Sequence, residues 1–264
     1  MAAPFDHIDS CNSVLAPTTI GQLQRKIAWN YLARIIPTLD GLEMLELNRG
    51  NGDEAALFGP KDFNLLATDI SEETLRLTQT THPGYSLSSR VSTHYLDLDN
   101  FDEVFDKKFD LIFANFGGLN HVPPETIKKL LNWAPGVLTP RGRLVALVMP
   151  RFCLWESLSR LATLRVAKAF QRWTDNDSLT DVQGIPTKTW YYHPAQLRLW
   201  AQQNFNVITT LPVGIALPPR YLESFFATKK RLLMLFNALE QRLTNASILA
   251  PFADNYIIDL QVKR

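Results

Sequence analysis

The chain is poor in the residues that would mark it for a special class. Two cysteines among 264 residues, Cys11 and Cys153, cannot form a disulfide framework, and no Cys-x-x-Cys pair or His/Cys cluster offers zinc-site spacing. Neither sign of charge dominates. Lys and Arg number 27 against 26 Asp and Glu, so a net charge of +1 gives no electrostatic reason to expect nucleic acid as a partner. No stretch approaches the roughly 18 uninterrupted apolar residues of a membrane span. The opening MAAPFDHIDSCNS is acidic and polar where a secretory signal needs an apolar run, which makes the cytoplasm the expected compartment. Internal repeats and low-complexity tracts are missing too. What is present is ordinary globular composition, 46% hydrophobic and 20% charged, with length for one large domain or a domain with an elaborated cap.

The informative stretch is residues 41–69. An apolar, strand-like segment over 42–47 runs into Gly50-x-Gly52, then into Asp53-Glu54-Ala55-Ala56-Leu57, which can start a helix. A second apolar segment, 63–67, ends on Thr68-Asp69. A glycine turn at one strand tip and a carboxylate at the next form half of a nucleotide-binding βαβ unit. Glycines let a ligand approach the backbone, and the acid can hold ribose hydroxyls. Charge at the loop's edge then discriminates between ligands. A pyrophosphate wants bare N–H groups at a helix N-terminus and no carboxylate nearby, yet Glu46 sits in the strand just before the loop. An acid there suits a cation.

The run LELNRGNGDEA, residues 45–55, resembles motif I of the class I S-adenosylmethionine-dependent methyltransferases, commonly acid-x-Gly-x-Gly-x-Gly. S-adenosylmethionine carries both an ammonium and a sulfonium. Asn48 takes the place of the first glycine, and asparagine tolerates left-handed backbone better than most residues. Gly50 and Gly52 match the other two, while Arg49 stands where a small residue is usual. Further stretches align with the family in order. Thr68-Asp69-Ile70-Ser71 resembles motif II, which implies that Asp69 takes the ribose hydroxyls and Ile70 packs on adenine. Asp97-Leu98-Asp99 follows the third strand, where the family recognises the adenine amino group; either acid could face the site or cap a helix. FDLIFANFGGLNHV, 109–122, is similar to the fourth motif and places Asn115 at a strand tip facing the methyl donor. LTPRGRLVALVMP, 138–150, resembles the family's Leu-x-Pro-Gly-Gly turn and fifth strand, with Arg141 for one glycine. Upstream, Phe5-Asp6 resembles the preface of small-molecule members, with Asn12 nearest to their covering aromatic residue. Arg25 there either meets the methionine carboxylate or stands as a solvated helix arginine.

Strand and helix patterns alternate through residue 149. Strands are predicted over 44–47, 65–69, 91–96, 109–115 and 144–149. Helices are predicted over 53–58 and 72–78, and from Pro123-Pro124 on Ile127, Leu130, Leu131 and Ala134. With the resemblance, the expected fold is α/β, a doubly wound seven-stranded sheet of order 3-2-1-4-5-7-6 whose last strand is antiparallel. Residues 1–40 form a helical preface, its helix on Ile20, Leu23, Ile27, Tyr31, Leu32 and Ile35 and stopped by Pro37. Residues 41–150 form the Rossmann-like cofactor half, and 151–220 the cap and sixth strand. Residues 221–264 add a long helix and terminal strand to the same domain. In the cap, Trp155, Leu158, Ala162, Val166, Ala169 and Trp173 read as one apolar stripe, with Arg160, Arg165, Lys168 and Arg172 as a solvated face. Residues 187–193 read as a short strand, followed by a helix from Pro194 and a sixth strand over 206–211. A helix over 221–243 is expected to bury Phe225, Leu232, Leu235, Phe236, Leu239 and Leu243.

The expected function is transfer of a methyl group to an oxygen, nitrogen or carbon nucleophile of a small molecule, free or carrier-bound. S-adenosylmethionine is the expected cofactor, with no metal, nucleic acid or membrane partner. Its expected contacts are Arg25, Glu46, Asn48, Gly50, Gly52, Asp69, Ile70, Asp97, Leu98 and Asn115. His121, at a strand's carboxyl end, is a candidate general base with a structural role as the competing reading. Tyr191, Tyr192 and His193 either line the acceptor pocket or fill the core. Two other readings remain at this point: a methyltransferase-like binding or regulatory protein, and an NAD-dependent oxidoreductase that uses Gly50-x-Gly52-x-x-Ala55 as its fingerprint.

Overall fold

Seven strands make the central sheet: β1 (Glu43–Leu47), β2 (Asn64–Asp69), β3 (Val91–Tyr95), β4 (Phe109–Ala114), β5 (Leu138–Val148), β8 (Phe205–Val213) and β9 (Asn255–Val262). The computed structural model describes residues 19–36, 41–48, 64–73, 75–76, 91–98, 105–162, 172–173, 177–182 and 185–264. The sheet order is β3-β2-β1-β4-β5-β9-β8. The first five strands run parallel, and β9 lies antiparallel between β5 and β8. With β9 as seventh and β8 as sixth, this is the order that the sequence implied. The order of connection reverses between the neighbouring parallel strands β1 and β4, the switch point at whose carboxyl ends such sheets open a crevice.

Alternation along the strands divides the core. Leu45, Ile112, Ala114, Leu144, Ala146 and Ile258 point to one face, under α2 (Pro124–Val137) and α4 (Pro194–Ala201). Met44, Leu111, Phe113, Val145, Leu147 and Ile257 point to the other, under α1 (Thr19–Ile35) and α6 (Lys230–Leu243). Pro124 opens α2 because a first-turn proline sacrifices an N–H that would lack an intrahelical partner. Its expected face, Ile127, Leu130, Leu131 and Ala134, is buried. On α1, Ile20, Ile27, Tyr31 and Leu32 are buried as expected. A buried clamp fixes this helix to the sheet: the Tyr31 hydroxyl donates to Asp259, which also receives the Arg143 guanidinium. The turn expected at Pro140-Arg141-Gly142 is an irregularity within β5, where the pairing with β4 slips between Phe109 and Leu111. A Cβ on Gly142 would lie 2.8 Å from Leu138 Cβ, which explains the glycine.

The second half departs from the sequence reading in four places. Residues 187–193 are not one strand. β6 (Ser178–Val182) and β7 (Ile185–Thr189) form a separate antiparallel pair, and the chain leaves strand geometry at Trp190. The helix expected over 221–243 is broken into a 3₁₀ turn (Arg220–Leu222), a short α5 (Glu223–Phe226) and α6. Its buried line is Leu233 and Glu240, whereas Leu235 is 62% exposed and Phe225, Leu232 and Leu239 also face outward. The cap stripe is likewise turned. On α3 (Leu154–Ala162), Glu156 and Ser157 are buried while Leu158 is exposed, and Trp173 is 58% exposed. Arg172, read as solvated, is only 9% exposed. The reason is shared: a buried carboxylate on each helix finds partners across the chain, and that bonding sets which side turns inward. The expected helix over 53–58 lies outside the described residues, whereas residues 72, 73, 75 and 76 are helical. Among the described residues no helix is long and apolar enough to cross a membrane.

Candidate active site

The tips of β1, β2 and β4 meet at one point. Glu46, fully buried, stands level with Ala67 of β2 and Phe113 of β4. Thr68 Oγ1 donates to the Glu46 carbonyl at 2.8 Å, tying the first two tips together. Two residues beyond Glu46, Asn48 has φ 49°, the left-handed region that asparagine tolerates and most residues avoid. Its Nδ2 donates to the Gly118 carbonyl at 3.0 Å, and a Cβ on Gly118 would lie 3.2 Å from Asn48 Cβ. The loops after β1 and β4 are therefore packed backbone to backbone, with Gly117 at φ 71° making the second turn.

Asp69 ends β2, its Oδ1 accepting the Ser71 N–H at 2.9 Å, and the exposed Ile70 follows. Past β3, Leu98 is buried and Asp97 half-buried. Asn115 is buried at the β4 tip, where its Oδ1 accepts the Phe116 N–H at 2.7 Å. Arg25 projects from α1 into the same crevice. Gly50, Gly52, Asp99 and the Phe5-Asp6 preface lie outside the described residues. The donor set present fits a cationic nucleoside. It offers a buried acid near the bend, a second acid one strand over and an exposed aliphatic side chain beside it.

A cleft of about 460 Å³ runs from the ends of β4 and β5, at Phe116, Gly117 and Met149, to the cap, and of the expected cofactor contacts Arg25 alone is in its described lining. Arg25, Phe116 and Gly117 form its floor, and Glu156, Arg160, Arg172, Tyr191, Tyr221 and Asp254 form its far wall. That wall rests on buried charge. Glu156 binds Arg160 at 2.8 Å and Arg172 Nε at 2.5 Å, and Arg172 continues to Asp254 at 3.2 Å. Burial drives the Arg172 pKa down, but Asp254, Cys153 and Glu156 more than offset it, so the net shift is upward and the guanidinium stays charged. Arg172 also lies over the Tyr191 ring, 5.1 Å from its centroid. Burial, with Asp254 beside it, pushes the Cys153 thiol up to about 12.

Two further residues brace the wall. Glu240 of α6, wholly buried, accepts the backbone N–H groups of Gly214, Ile215, Ala216 and Leu217 at 2.8, 3.4, 2.6 and 2.9 Å. Burial raises its pKa, and those four donors lower it without cancelling the rise. The loop it holds receives Trp155 Nε1 on the Ala216 carbonyl and Gln24 Nε2 on the Pro218 carbonyl. Asn120 joins floor to cap: its Oδ1 accepts the Met149 N–H at 2.8 Å, and its Nδ2 donates to the Trp190 carbonyl at 2.6 Å. Sequence reading missed Asn120, Glu156, Asp254 and Glu240, whose partners are remote in the chain. A lone acid on an otherwise apolar helix side was the only signal for Glu240.

His121 lines the cleft, with Nδ1 3.2 Å from the Lys188 carbonyl. Of the aromatic trio, Tyr191 alone lines it. The buried Tyr192 hydroxyl donates to the Val122 carbonyl, and His193 Nδ1 caps α4 by accepting the Ala195 N–H.

Comparison with known proteins agrees with this geometry. Residues 44–142 match the family model described as a methyltransferase domain. No curated protein matches the chain. Among solved structures, the chain is similar to an S-adenosylmethionine-dependent methyltransferase from Mesorhizobium loti, at 12% identity and TM-score 0.54 over 89% of this chain and 97% of that one. A second, from Methanosarcina mazei, is 15% identical with TM-score 0.58 over 86% and 96% of the two chains. The glycopeptide N-methyltransferase MtfA, solved with S-adenosylhomocysteine, is 13% identical with TM-score 0.57 over 89% and 88%. Residues 44–142 thus match a methyltransferase domain, and the chain that carries them has the fold of solved S-adenosylmethionine-dependent methyltransferases.

Proposed function

We propose that the protein transfers a methyl group from S-adenosylmethionine to an oxygen, nitrogen or carbon nucleophile of a small molecule, free or carried on a partner protein. The observation that carries this reading is the cleft itself. It runs from the ends of β4 and β5 to the cap, beside the β1 tip that β4 pairs with, and its volume of about 460 Å³ is that of a small-ligand site. When bound, the cofactor supplies an electrophilic methyl on a cationic sulfur. Glu46, Asn48, Gly50 and Gly52 would hold its amino-acid end, with Arg25 toward the carboxylate. Asp69 would take the ribose hydroxyls, Ile70 and Leu98 would meet the adenine, and Asp97 and Asn115 would complete the contacts. The protein's contribution to the displacement is alignment, worth about 7–11 kcal/mol when reacting atoms are held in line and water is excluded.

His121 is the base in this reading. A proton on Nδ1, donated to the Lys188 carbonyl, leaves Nε2 as an acceptor for the proton of a hydroxyl or amine nucleophile. Calorimetric titration tests the cofactor half: S-adenosylmethionine binds and NAD does not, and Asp69→Ala weakens binding about 100-fold, the loss of two charge-assisted hydrogen bonds. Unchanged affinity in that variant removes Asp69 from the site. Incubation with a cell extract and methyl-labelled cofactor tests the acceptor half. Label in the small-molecule fraction, or in an ester or amine released from a carrier, supports the proposal. Label only in nucleic acid or in protein side chains overturns it.

A further inference from the structure

We infer that Thr189 and Thr180 of the β6–β7 pair are positioning residues for His121: their hydroxyls hold its proton on Nδ1 and leave Nε2 to take the proton of the methyl acceptor. This rests on His121 as the base in the reading above. It also gives a task to two strands that stand apart from the central sheet.

His121 ends the 3₁₀ turn Gly118–His121 that follows β4, and the chain leaving β7 is fastened to that turn one residue away. The Trp190 N–H donates to the Asn120 carbonyl at 2.8 Å, and Asn120 Nδ2 donates back to the Trp190 carbonyl at 2.6 Å. Two bonds between the same two residues set the register of turn and strand. His121 Nδ1 accordingly faces the end of β7, 3.2 Å from the Lys188 carbonyl and 3.4 Å from Thr189 Oγ1. Behind it, Thr189 Oγ1 lies 2.5 Å from Thr180 Oγ1, and the two hydroxyls reach the Thr187 carbonyl at 3.4 and 3.5 Å.

One tautomer fits these neighbours. A carbonyl accepts and never donates, so the Lys188 oxygen requires a proton on Nδ1. That proton also points to Thr189 Oγ1, whose own proton goes on to Thr180, and Thr180 donates to the Thr187 carbonyl. Every group in the chain is then bonded, as the fully buried Thr189 demands. In the opposite order Thr180 donates to Thr189 and Thr189 to a bare Nδ1, which sets the nitrogen's lone pair against the Lys188 carbonyl. A free imidazole keeps its proton mainly on Nε2, and a fixed acceptor at Nδ1 is what reverses that preference. Nε2 is left for the cleft, which His121 and Thr180 both line. When it receives the nucleophile's proton, Nδ1 keeps its own proton and its partners, so the ring need not turn.

The test is nitrogen NMR of the full chain labelled at its histidines, with the imidazoles neutral. His121→Gln identifies the signals of this ring by their loss. His121 is expected to show Nδ1–H and an unprotonated Nε2 as its main form. Thr189→Val keeps the shape but not the hydroxyl, and should lower the ratio of Nδ1–H to Nε2–H about fivefold, the worth of one net hydrogen bond. Thr189→Ser retains the hydroxyl and should retain the ratio. Thr180→Val should act in the same direction but less, since the Thr187 carbonyl can still take the Thr189 proton. A ring protonated mainly on Nε2, a ratio that Thr189→Val leaves unchanged, or one that Thr189→Ser lowers as much as Thr189→Val overturns the inference. The base is tested apart, by methyl transfer from labelled cofactor to a cell extract. A loss of about 100-fold or more in His121→Gln supports it, and unchanged transfer overturns it whatever the tautomer.

Discussion

The floor and the far wall of the cleft are built by opposite means. The floor is made of turns: Asn48 and Gly117 adopt positive φ, and the Asn48 amide bonds to Gly118 at the foot of the next loop. Its side chains lie within a few residues of the strands that carry them, and the pairing of β1 with β2 and β4 fixes their spacing. The wall is made of buried charge contributed by α3, the end of the cap, α6 and the approach to β9. Residues at the strand tips are thus placed by backbone geometry. Wall residues hold one another, and stability and shape are the same property there. A change in the floor should cost binding; a change in the wall should cost folding.

The largest expected effect tests the wall. Glu240→Ala leaves four backbone N–H groups of residues 214–217 without their buried acceptor. Each unsatisfied group costs ~1–3 kcal/mol, and with some water entering the cavity the total should be about 4 kcal/mol, read as a shift in denaturant midpoint. Asp69→Ala, by contrast, removes one acceptor from the Ser71 N–H and should cost only about 1 kcal/mol of stability while abolishing most cofactor affinity. Equal destabilisation by the two variants would break the distinction between floor and wall.

Arg172→Gln comes next and sharpens the comparison. Removing the guanidinium takes from Asp254 the cation it pairs with and leaves Glu156 with Arg160, and breaking a buried pair in this way costs about 3–5 kcal/mol. Adding Asp254→Asn to that variant removes the stranded charge. The double variant should therefore be more stable than Arg172→Gln alone by about 1–2 kcal/mol, a coupling that additive, independent sites would not show. Stability losses that simply add would mean that the two side chains do not act as one pair.

The same division explains what was legible in the sequence. The strands' places along the chain, the α1 and α2 faces and the positions of Glu46, Asn48 and Asp69 could be read because period-two alternation, a helix stripe and a short motif are local signals, while the strand order came from the resemblance to a known family. The cap and α6 could not, since their orientation is decided by bonds such as Arg172 to Asp254, 82 residues apart. On α6 the stripe Leu232, Leu235, Leu239 is apolar enough to look like the buried one, yet Glu240 and its four N–H donors turn the helix so that the leucines face outward. A hydrophobic pattern weighs side chains by transfer from water and has no entry for a carboxylate that finds all its donors inside. Arg172 was misread for the same reason.

Cys153 gives the smallest effect and the narrowest test. Its thiol sits against Asp254, 3.8 Å from Oδ1, with Arg172 and Glu156 close enough to act on its charge. Burial, then Asp254, pushes its pKa up to about 12, against about 8.5 for an unfolded cysteine. Between those values the folded chain keeps a proton that the unfolded chain releases, so stability falls as pH rises across the window and is unaffected below it. From pH 8 to pH 9.5 the loss from this one group should be about 1.4 kcal/mol, one pKa unit's worth beyond the unfolded value. Burial raises the pKa of Tyr31, Tyr192 and Tyr256, so they add their own alkaline loss as the unfolded chain ionises; the quantity to compare is therefore the difference between the parent and Cys153→Ala, measured by urea unfolding at both pH values. The variant should lose less stability on going alkaline by that amount. Identical slopes would mean that water reaches the thiol, and that the wall beside Asp254 is not dry.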